Sequence, residues 1–168
     1  QASSQDFPLI LTLLEQNALT QAGLYNHLSN TLVCYYNNRL AGCVTLEHYG
    51  HHALLRSLAV DSSLRGLGIG KQLVASALAL ARSLGVEQIY LLTQTAPDFF
   101  ARFFHFSHIE RSQAPFDIAQ SVEFASACPQ SAQAMTLVLN DSCCSSSPLL
   151  ETLDIHSEVK DYYSKRLV

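Results

Sequence analysis

The sequence predicts an α+β fold, an α/β three-layer sandwich in which a mixed central sheet is flanked by helices. Two observations support this fold class. Short apolar runs of strand length alternate with longer runs that repeat apolar residues at helical spacing. A glycine-rich loop at 65–70 also separates an apolar run from an amphipathic run, as at a strand-to-helix turn. With 168 residues, 48% of them hydrophobic, the chain can bury one sizeable core.

The first half of the chain is expected to form two helices and three strands. Leu13 and Leu14 continue an apolar face at helical spacing after an Asp-x-Pro start. Asn37-Asn38 lies between two apolar stretches, which is typical of a hairpin turn. The expected elements are, in order, a helix at 8–17, a short helix at 25–30, a hairpin within 31–50 and a buried central strand at 52–60.

The second half is expected to continue the alternation of helices and strands. Leu73, Ala77 and Leu84 lie on one apolar stripe, and Gly85 is placed to end that helix. Asp98 is the predicted cap of a short aromatic helix. The expected elements are, in order, a helix at 70–84, a strand at 87–93, the aromatic helix at 98–106, a strand at 107–112, a helical segment at 116–128 and a strand at 132–139.

The composition changes after Leu139, which divides the chain into three parts. Residues 1–139 form the predicted globular domain, and 140–148 read as a polar linker. Residues 149–168 predict an amphipathic helix, either a packing or dimerisation helix or the start of a second domain.

Charge and cysteine usage exclude several classes of function. The net charge of −4 and the lack of a basic face argue against a nucleic-acid partner. No apolar run reaches the length of a membrane span, and no signal peptide is expected. The five cysteines form no C-x-x-C pair, which favours reduced thiols in a cytoplasmic protein. The seven histidines lack zinc spacing, so no metal is expected.

The glycine-rich loop predicts an anion site, because exposed backbone N–H groups at a helix start favour phosphate. Two nucleotide motifs do not fit. A P-loop needs four residues between its first glycine and Gly-Lys, whereas three separate Gly66 from Gly70, and Gln72 stands where Ser or Thr is required. In the dinucleotide fingerprint the third glycine would come one residue later.

The remaining pattern, Arg65-Gly-Leu-Gly-Ile-Gly70, resembles the acetyl-CoA loop of the GCN5-related N-acetyltransferase (GNAT) family. The order of elements over about 7–139 is also similar, although the first strand that family members usually have is missing. The resemblance implies acetyl-CoA as the cofactor and a GNAT fold. The positions that it assigns to the cofactor are Leu58 and Val60 for the pantetheine arm and Arg65, Gly66, Leu67, Gly68, Ile69, Gly70 and Lys71 for the phosphates.

The catalytic end departs from the family pattern. The strand before the loop lacks the usual glutamate, and Phe100 stands where many members have a tyrosine acid. Glu47 is a candidate base, with a solvated strand glutamate as the alternative. Thr93 is a candidate at the end of the next strand, where the acetyl carbonyl should lie. Arg56 is either a clamp for a substrate carboxylate or part of a structural ion pair.

Within the family, segments such as "LLRSLAV" and the "EFAS-x-CP-x-SA" segment at 123–132 resemble arsenic-resistance N-acetyltransferases. This implies acetylation of a small amine, namely an amino acid-like toxin such as phosphinothricin or its arsenic counterpart. The tail weakly resembles the opening helix of arsenite methyltransferases, and Cys143-Cys144 could bind trivalent arsenic or belong to an inert linker. The alternatives are a degenerate domain that senses coenzyme A or arsenic and an accessory domain of a methyltransferase. A homodimer is possible.

Overall fold

The computed structural model describes residues 1–139, and the predicted linker at 140–148 and tail at 149–168, with Cys143-Cys144, lie outside them. Six strands form one sheet in the order β1-β2-β3-β4-β6-β5. β3 and β4 are parallel, and the other neighbours are antiparallel. The strands are β1 Thr31–Tyr36, β2 Arg39–Tyr49, β3 His52–Val60, β4 Gln88–Thr93, β5 Ser107–Ile109 and β6 Gln133–Val138. The helices are α1 Phe7–Gln16, a 3₁₀ helix Leu24–Asn30, α2 Ile69–Ser83, α3 Pro97–Phe104, α4 Phe116–Ala119 and a π-helical turn Glu123–Ala127.

The predicted hairpin is confirmed, and its turn explains the pairing of β1 with β2. Asn37 and Asn38 both adopt the left-handed conformation, with φ of 47° and 60°. A two-residue turn of this kind matches the twist of the flanking strands, and asparagine tolerates it better than most residues. Tyr36 and Arg39 therefore pair directly across the turn.

The sheet lies between two helical layers, which confirms the predicted α+β sandwich. On one face, α2 and α3 pack Leu73, Val74 and Phe100 against strand residues such as Leu46 and Ile89. On the other face, one apolar cluster joins α1 to the sheet and a second joins α4 to it. The centre of the sheet is thus shielded from water on both sides, so a polar group placed there must find partners within the protein.

β3 and β4 separate at the centre of the sheet. Their parallel ladder consists of three residue pairs, the last being Leu54 with Tyr90. A β-bulge then follows in β3, because Arg56 pairs with Thr45 whereas Ala59 pairs with Cys43. The bulge breaks the alternation of side chains, so that Arg56 and Leu58 lie on opposite faces of the sheet.

Three details of the expected second half are wrong. α3 begins at Pro97 with Ala96 as its cap residue, so Asp98 lies in the first turn and does not cap the helix. The strand expected at 107–112 ends at Ile109 and gives way to a 3₁₀ turn. The segment 116–128 is not one helix, because α4 ends after four residues and a π-helical turn follows.

Candidate active site

The glycine loop leads from β3 into the first turn of α2. Gly66 and Gly68 have φ of 85° and 80°, a region that glycine enters without steric cost. A Cβ built on either residue meets no atom of the described chain within 4 Å, so both face open space. The first α-helical hydrogen bond runs from the N–H of Gln72 to the carbonyl of Gly68, which leaves the first-turn N–H groups available to a ligand.

These glycines line a cleft of about 320 Å³ between the end of β3 and the start of α3. Val60 and Phe99 form its apolar wall. Lys71 also lines the cleft, and its Nζ lies 3.5 Å from the centre of the Phe103 ring. Arg65 donates from Nη2 to Oδ1 of Asn17 at 2.7 Å, which ties the loop to the end of α1. The cleft therefore combines exposed N–H groups with two cationic side chains.

A second cavity of about 570 Å³ occupies the space where β3 and β4 separate. Leu58 lines it on the β3 side, directly before the part of the strand that borders the glycine cleft. Thr93 lines it at the end of β4, and its Oγ1 accepts from the N–H of Ala96 at 3.2 Å. The ring of Phe100, where the family pattern has a tyrosine, forms part of the wall and is almost fully buried. An extended ligand could thus run from the glycine loop into the sheet.

Arg56 joins two carboxylates at the wall of this second cavity. Its Nη1 donates to Oε1 of Glu47 at 2.6 Å, and its Nε lies 2.8 Å from Oε1 of Glu123. All three side chains are buried. The Nη2 of Arg56 is also buried and finds no hydrogen-bond partner among residues 1–139. Since a buried donor without a partner is costly, Nη2 is a candidate for binding a ligand.

Further polar groups extend the cluster on both sides. Tyr49 donates its hydroxyl to Oε2 of Glu47 at 2.7 Å, and His27 lies 3.6 Å from the same carboxylate. Cys128 donates from Sγ to Oε2 of Glu123 at 3.2 Å and lines the cavity beside it. Burial raises the pKa of Glu123, against the lowering effect of the Arg56 guanidinium. Burial and the Glu123 carboxylate raise the pKa of Cys128 to about 12.

The structure brings together some, but not all, of the candidate residues. Arg56 and Thr93 line the second cavity, whereas Glu47 lies behind Arg56 and does not border the cavity. The alternative of a solvated strand glutamate is wrong for Glu47, whose exposed fraction is 2%. Glu123 and Cys128 were not among the candidates, although both belong to the segment 123–132 that carries the narrower family resemblance.

Within 1–139, no helix combines the length and apolar character that crossing a membrane requires. The same residues bring no three His, Cys, Asp or Glu side chains into an arrangement that could hold a metal ion.

Comparisons with known proteins agree with the fold and the loop. An uncharacterized N-acetyltransferase of Chlorobaculum tepidum is 32% identical over 93 residues, which are 55% of this chain and 59% of the relative. The amino-acid acetyltransferase of Neisseria meningitidis serogroup A is 28% identical over 110 residues, which are 60% of this chain and 25% of that protein. The chain thus spans less than two thirds of the length of either relative.

Two solved structures share the architecture. N-acetylglutamate synthase from Neisseria gonorrhoeae, complexed with coenzyme A and N-acetyl-glutamate, has a TM-score of 0.71 at 22% identity and covers 83% of this chain and 34% of its own. Rv2747 from Mycobacterium tuberculosis, in complex with CoA, has a TM-score of 0.71 at 25% identity. The match covers 83% of this chain and 97% of the Rv2747 chain. The model of the acetyltransferase (GNAT) family matches residues 4–106. With more than half of its length matched by that model, and with the family's sheet and glycine loop in place, the chain belongs to the GNAT acetyltransferase family.

Proposed function

We propose that this chain transfers an acetyl group from acetyl-CoA to the amine of a small molecule. The observation that carries the proposal is that the glycine cleft, lined by Val60 and Phe99, lies next to the cavity between β3 and β4, which is lined by Leu58 and Phe100. The pyrophosphate would bind the backbone N–H groups of 67–70, with Arg65 and Lys71 adding positive charge. The pantetheine arm would lie along Leu58 and Val60, where β3 lacks its parallel neighbour, and bring the thioester to the cavity.

The acceptor that fits this cavity best is an α-amino acid. Nη2 of Arg56, which has no hydrogen-bond partner among residues 1–139, offers a charged donor for a carboxylate, and the adjacent Glu123 offers an acceptor for the ammonium. This arrangement is complementary to the neighbouring carboxylate and ammonium groups of an amino acid. The proposal agrees with the N-acetyl-glutamate bound by the Neisseria gonorrhoeae enzyme.

Glutamate analogues are the acceptors that we propose more specifically. The resemblance of the segment 123–132 to arsenic-resistance acetyltransferases supports phosphinothricin and its arsenic counterpart as substrates. The structure adds a reason to consider that segment, because it contributes Glu123 and Cys128 to the cavity wall. Thr93 is proposed to hydrogen-bond the acetyl carbonyl from the end of β4, since among residues 1–139 its Oγ1 accepts from the N–H of Ala96 and donates to no other group.

Turnover measurements test the proposal. Release of the CoA thiol should accelerate with glutamate or phosphinothricin as acceptor. Isoglutamine, in which an amide replaces only the α-carboxylate, should be the poorer acceptor. Binding of acetyl-CoA without turnover on any amine would instead favour a degenerate domain that senses coenzyme A, and lack of acetyl-CoA binding by calorimetry would exclude both functions.

An Arg56→Lys variant tests the carboxylate clamp. Lysine keeps the charge but not the forked donors. Because a charged hydrogen bond contributes about 1.5–3 kcal/mol, the KM for glutamate should rise about tenfold or more. The KM for isoglutamine should change little. Arg39→Lys, at an exposed arginine on the same sheet, is the matched control and should leave both constants as they are.

We also propose a cytoplasmic location. Cys34, Cys43 and Cys128 are free thiols within the described part of the chain. Free thiols are typical of a reducing compartment, which is the basis of this proposal.

A further inference from the structure

Glu123 occupies a position that the family pattern does not assign to a base. Its carboxylate reaches the second cavity from the π-helical turn, on the face of the sheet opposite α2. Glu47, the candidate from sequence, lies on the far side of Arg56 and is engaged by Tyr49 and Arg56. Of these two carboxylates, only Glu123 borders the space in which an acceptor amine would meet the thioester.

The charges of the cluster favour proton transfer to Glu123. One guanidinium faces two carboxylates, so the ionised cluster carries one excess negative charge in a buried setting. His27, at 3.6 Å from Glu47, is the further titratable group on that side, and Tyr49 and Cys128 are the neutral donors. A buried excess negative charge attracts an ammonium ion and favours its proton moving onto a carboxylate.

We infer that Glu123 is the general base that deprotonates the acceptor ammonium. The inference rests on the acetyl transfer proposed above. One N–H bond of the ammonium breaks and its proton passes to a Glu123 oxygen. The free amine then forms an N–C bond to the acetyl carbon while the C–S bond breaks. A second proton leaves the nitrogen and neutralises the CoA thiolate, and Glu123 later releases its proton to solvent.

Arg56 and Cys128 keep Glu123 suited to this role. Nε of Arg56 and Sγ of Cys128 each bind a different oxygen of the carboxylate, which fixes its orientation. Burial raises the pKa of Glu123 above that of an exposed glutamate and so makes it a stronger base. The Arg56 guanidinium opposes this effect, because its positive charge stabilises the ionised carboxylate.

The pH profile of a Glu123→Gln variant tests the inference. In the wild type, kcat/KM for the acceptor should fall as pH decreases through the raised pKa of Glu123, because the protonated acid cannot accept a proton. In Glu123→Gln the inflection at the pKa of Glu123 should disappear, and the remaining fall in activity with decreasing pH should follow the pKa of the acceptor amine. Activity near neutral pH should fall by about 10²- to 10⁴-fold, the usual contribution of a positioned base. It should recover as the pH approaches the pKa of the acceptor amine, since the free amine needs no base.

A Glu47→Gln variant is the matched comparison, because Glu47 also binds Arg56 but does not border the cavity. It should lower activity at every pH and keep the inflection at the pKa of Glu123. Loss of that inflection in Glu47→Gln, or its retention in Glu123→Gln, would overturn the inference. Calorimetric binding of acetyl-CoA by both variants verifies that they are folded. If the wild-type protein acetylates no amine, both the proposed function and the role of Glu123 as base are rejected. If the wild type is active and Glu123→Gln keeps the same inflection, only the role of Glu123 is rejected.

Discussion

Nη1 of Arg56 and Oε1 of Glu47 lie 2.6 Å apart, and both side chains are shielded from water at the centre of the sheet. The two residues belong to neighbouring antiparallel strands, where Thr45 pairs with Arg56 and Glu47 with Leu54. They are therefore diagonal neighbours on one face. A pair of this kind holds β2 to β3 at the point where β3 loses its other neighbour.

The Glu47–Arg56 pair should be important for folding stability. Glu47→Ala leaves part of a buried guanidinium unpaired, and loss of one partner of a buried ion pair costs about 3–5 kcal/mol. We expect a loss near the lower end of this range, since Glu123 still binds Arg56. Urea denaturation measures the change, with Glu15→Ala at an exposed glutamate of α1 as the control. A loss no larger than that of the control would contradict the prediction.

Gly68 should matter for both stability and cofactor binding. Alanine at its φ of 80° is strained by about 1–2 kcal/mol, and the added methyl group points into the space proposed for the pyrophosphate. Gly50→Ala is a matched control, because Gly50 has φ of 63°, open space around its Cβ and a position at the remote β2–β3 turn. Both variants should lose similar stability in thermal unfolding, but only Gly68→Ala should bind acetyl-CoA more weakly in calorimetry. Equal affinities in the two variants would argue against the proposed phosphate site.

Lys71 should contribute charge to cofactor binding. Phe103 holds its ammonium at the edge of the glycine cleft, where an exposed pair with phosphate adds up to about 1 kcal/mol. Lys71→Gln should thus weaken acetyl-CoA binding by about two- to fivefold at low salt, and raising the salt concentration should reduce the difference. Arg102 also lies over Phe103, at 5.5 Å, but does not line the cleft. Arg102→Gln should therefore bind acetyl-CoA like the wild type.

Cys128 should be slow to alkylate. With its pKa raised to about 12, the thiol is almost entirely protonated at pH 8, and the thiolate is the reactive form. Removing the Glu123 carboxylate lowers the pKa of Cys128, so Cys128 should react faster with iodoacetamide in Glu123→Gln than in the wild type. Mass spectrometry measures the rate of labelling. Cys43 is the internal control, since burial raises its pKa to about 12 with no carboxylate among the causes. Its labelling rate should be the same in both proteins.

The fold was largely predictable from the sequence because its elements have strong local signals. The apolar stripe of α2, the Asn37-Asn38 turn and the glycine loop each specify a local conformation, and the order of elements then limits the topology. Gly85, with φ of 73°, follows the end of α2 as predicted. Two of the three incorrect details, the cap of α3 and the end of β5, are element ends, where a few local hydrogen bonds decide the outcome.

The cofactor end of the site was more predictable than the acceptor end for a physical reason. The glycine loop is contiguous in sequence, so spacing alone restricts what it can bind. Glu123 reaches Arg56 from a π-helical turn that interrupts the helical segment predicted from periodicity. In a segment this short, the spacing of apolar residues does not distinguish a π-helical turn from an α-helix. The register of β2 with β3 could have shown Glu47 near Arg56, but not the third partner.

The three-pair ladder between β3 and β4 also divides the sheet into two halves, one of β1–β3 and the other of β4, β6 and β5. Past Leu54 and Tyr90, the facing backbone amides of β3 and β4 form no further residue pairs with one another. They should exchange with deuterium sooner than the amides of the β4–β6 ladder, which extends over six residue pairs. A ligand bound between the separated ends of β3 and β4 would link the two halves of the sheet. Acetyl-CoA would then stabilise the protein in the way that an added strand does, as well as supplying the acetyl group.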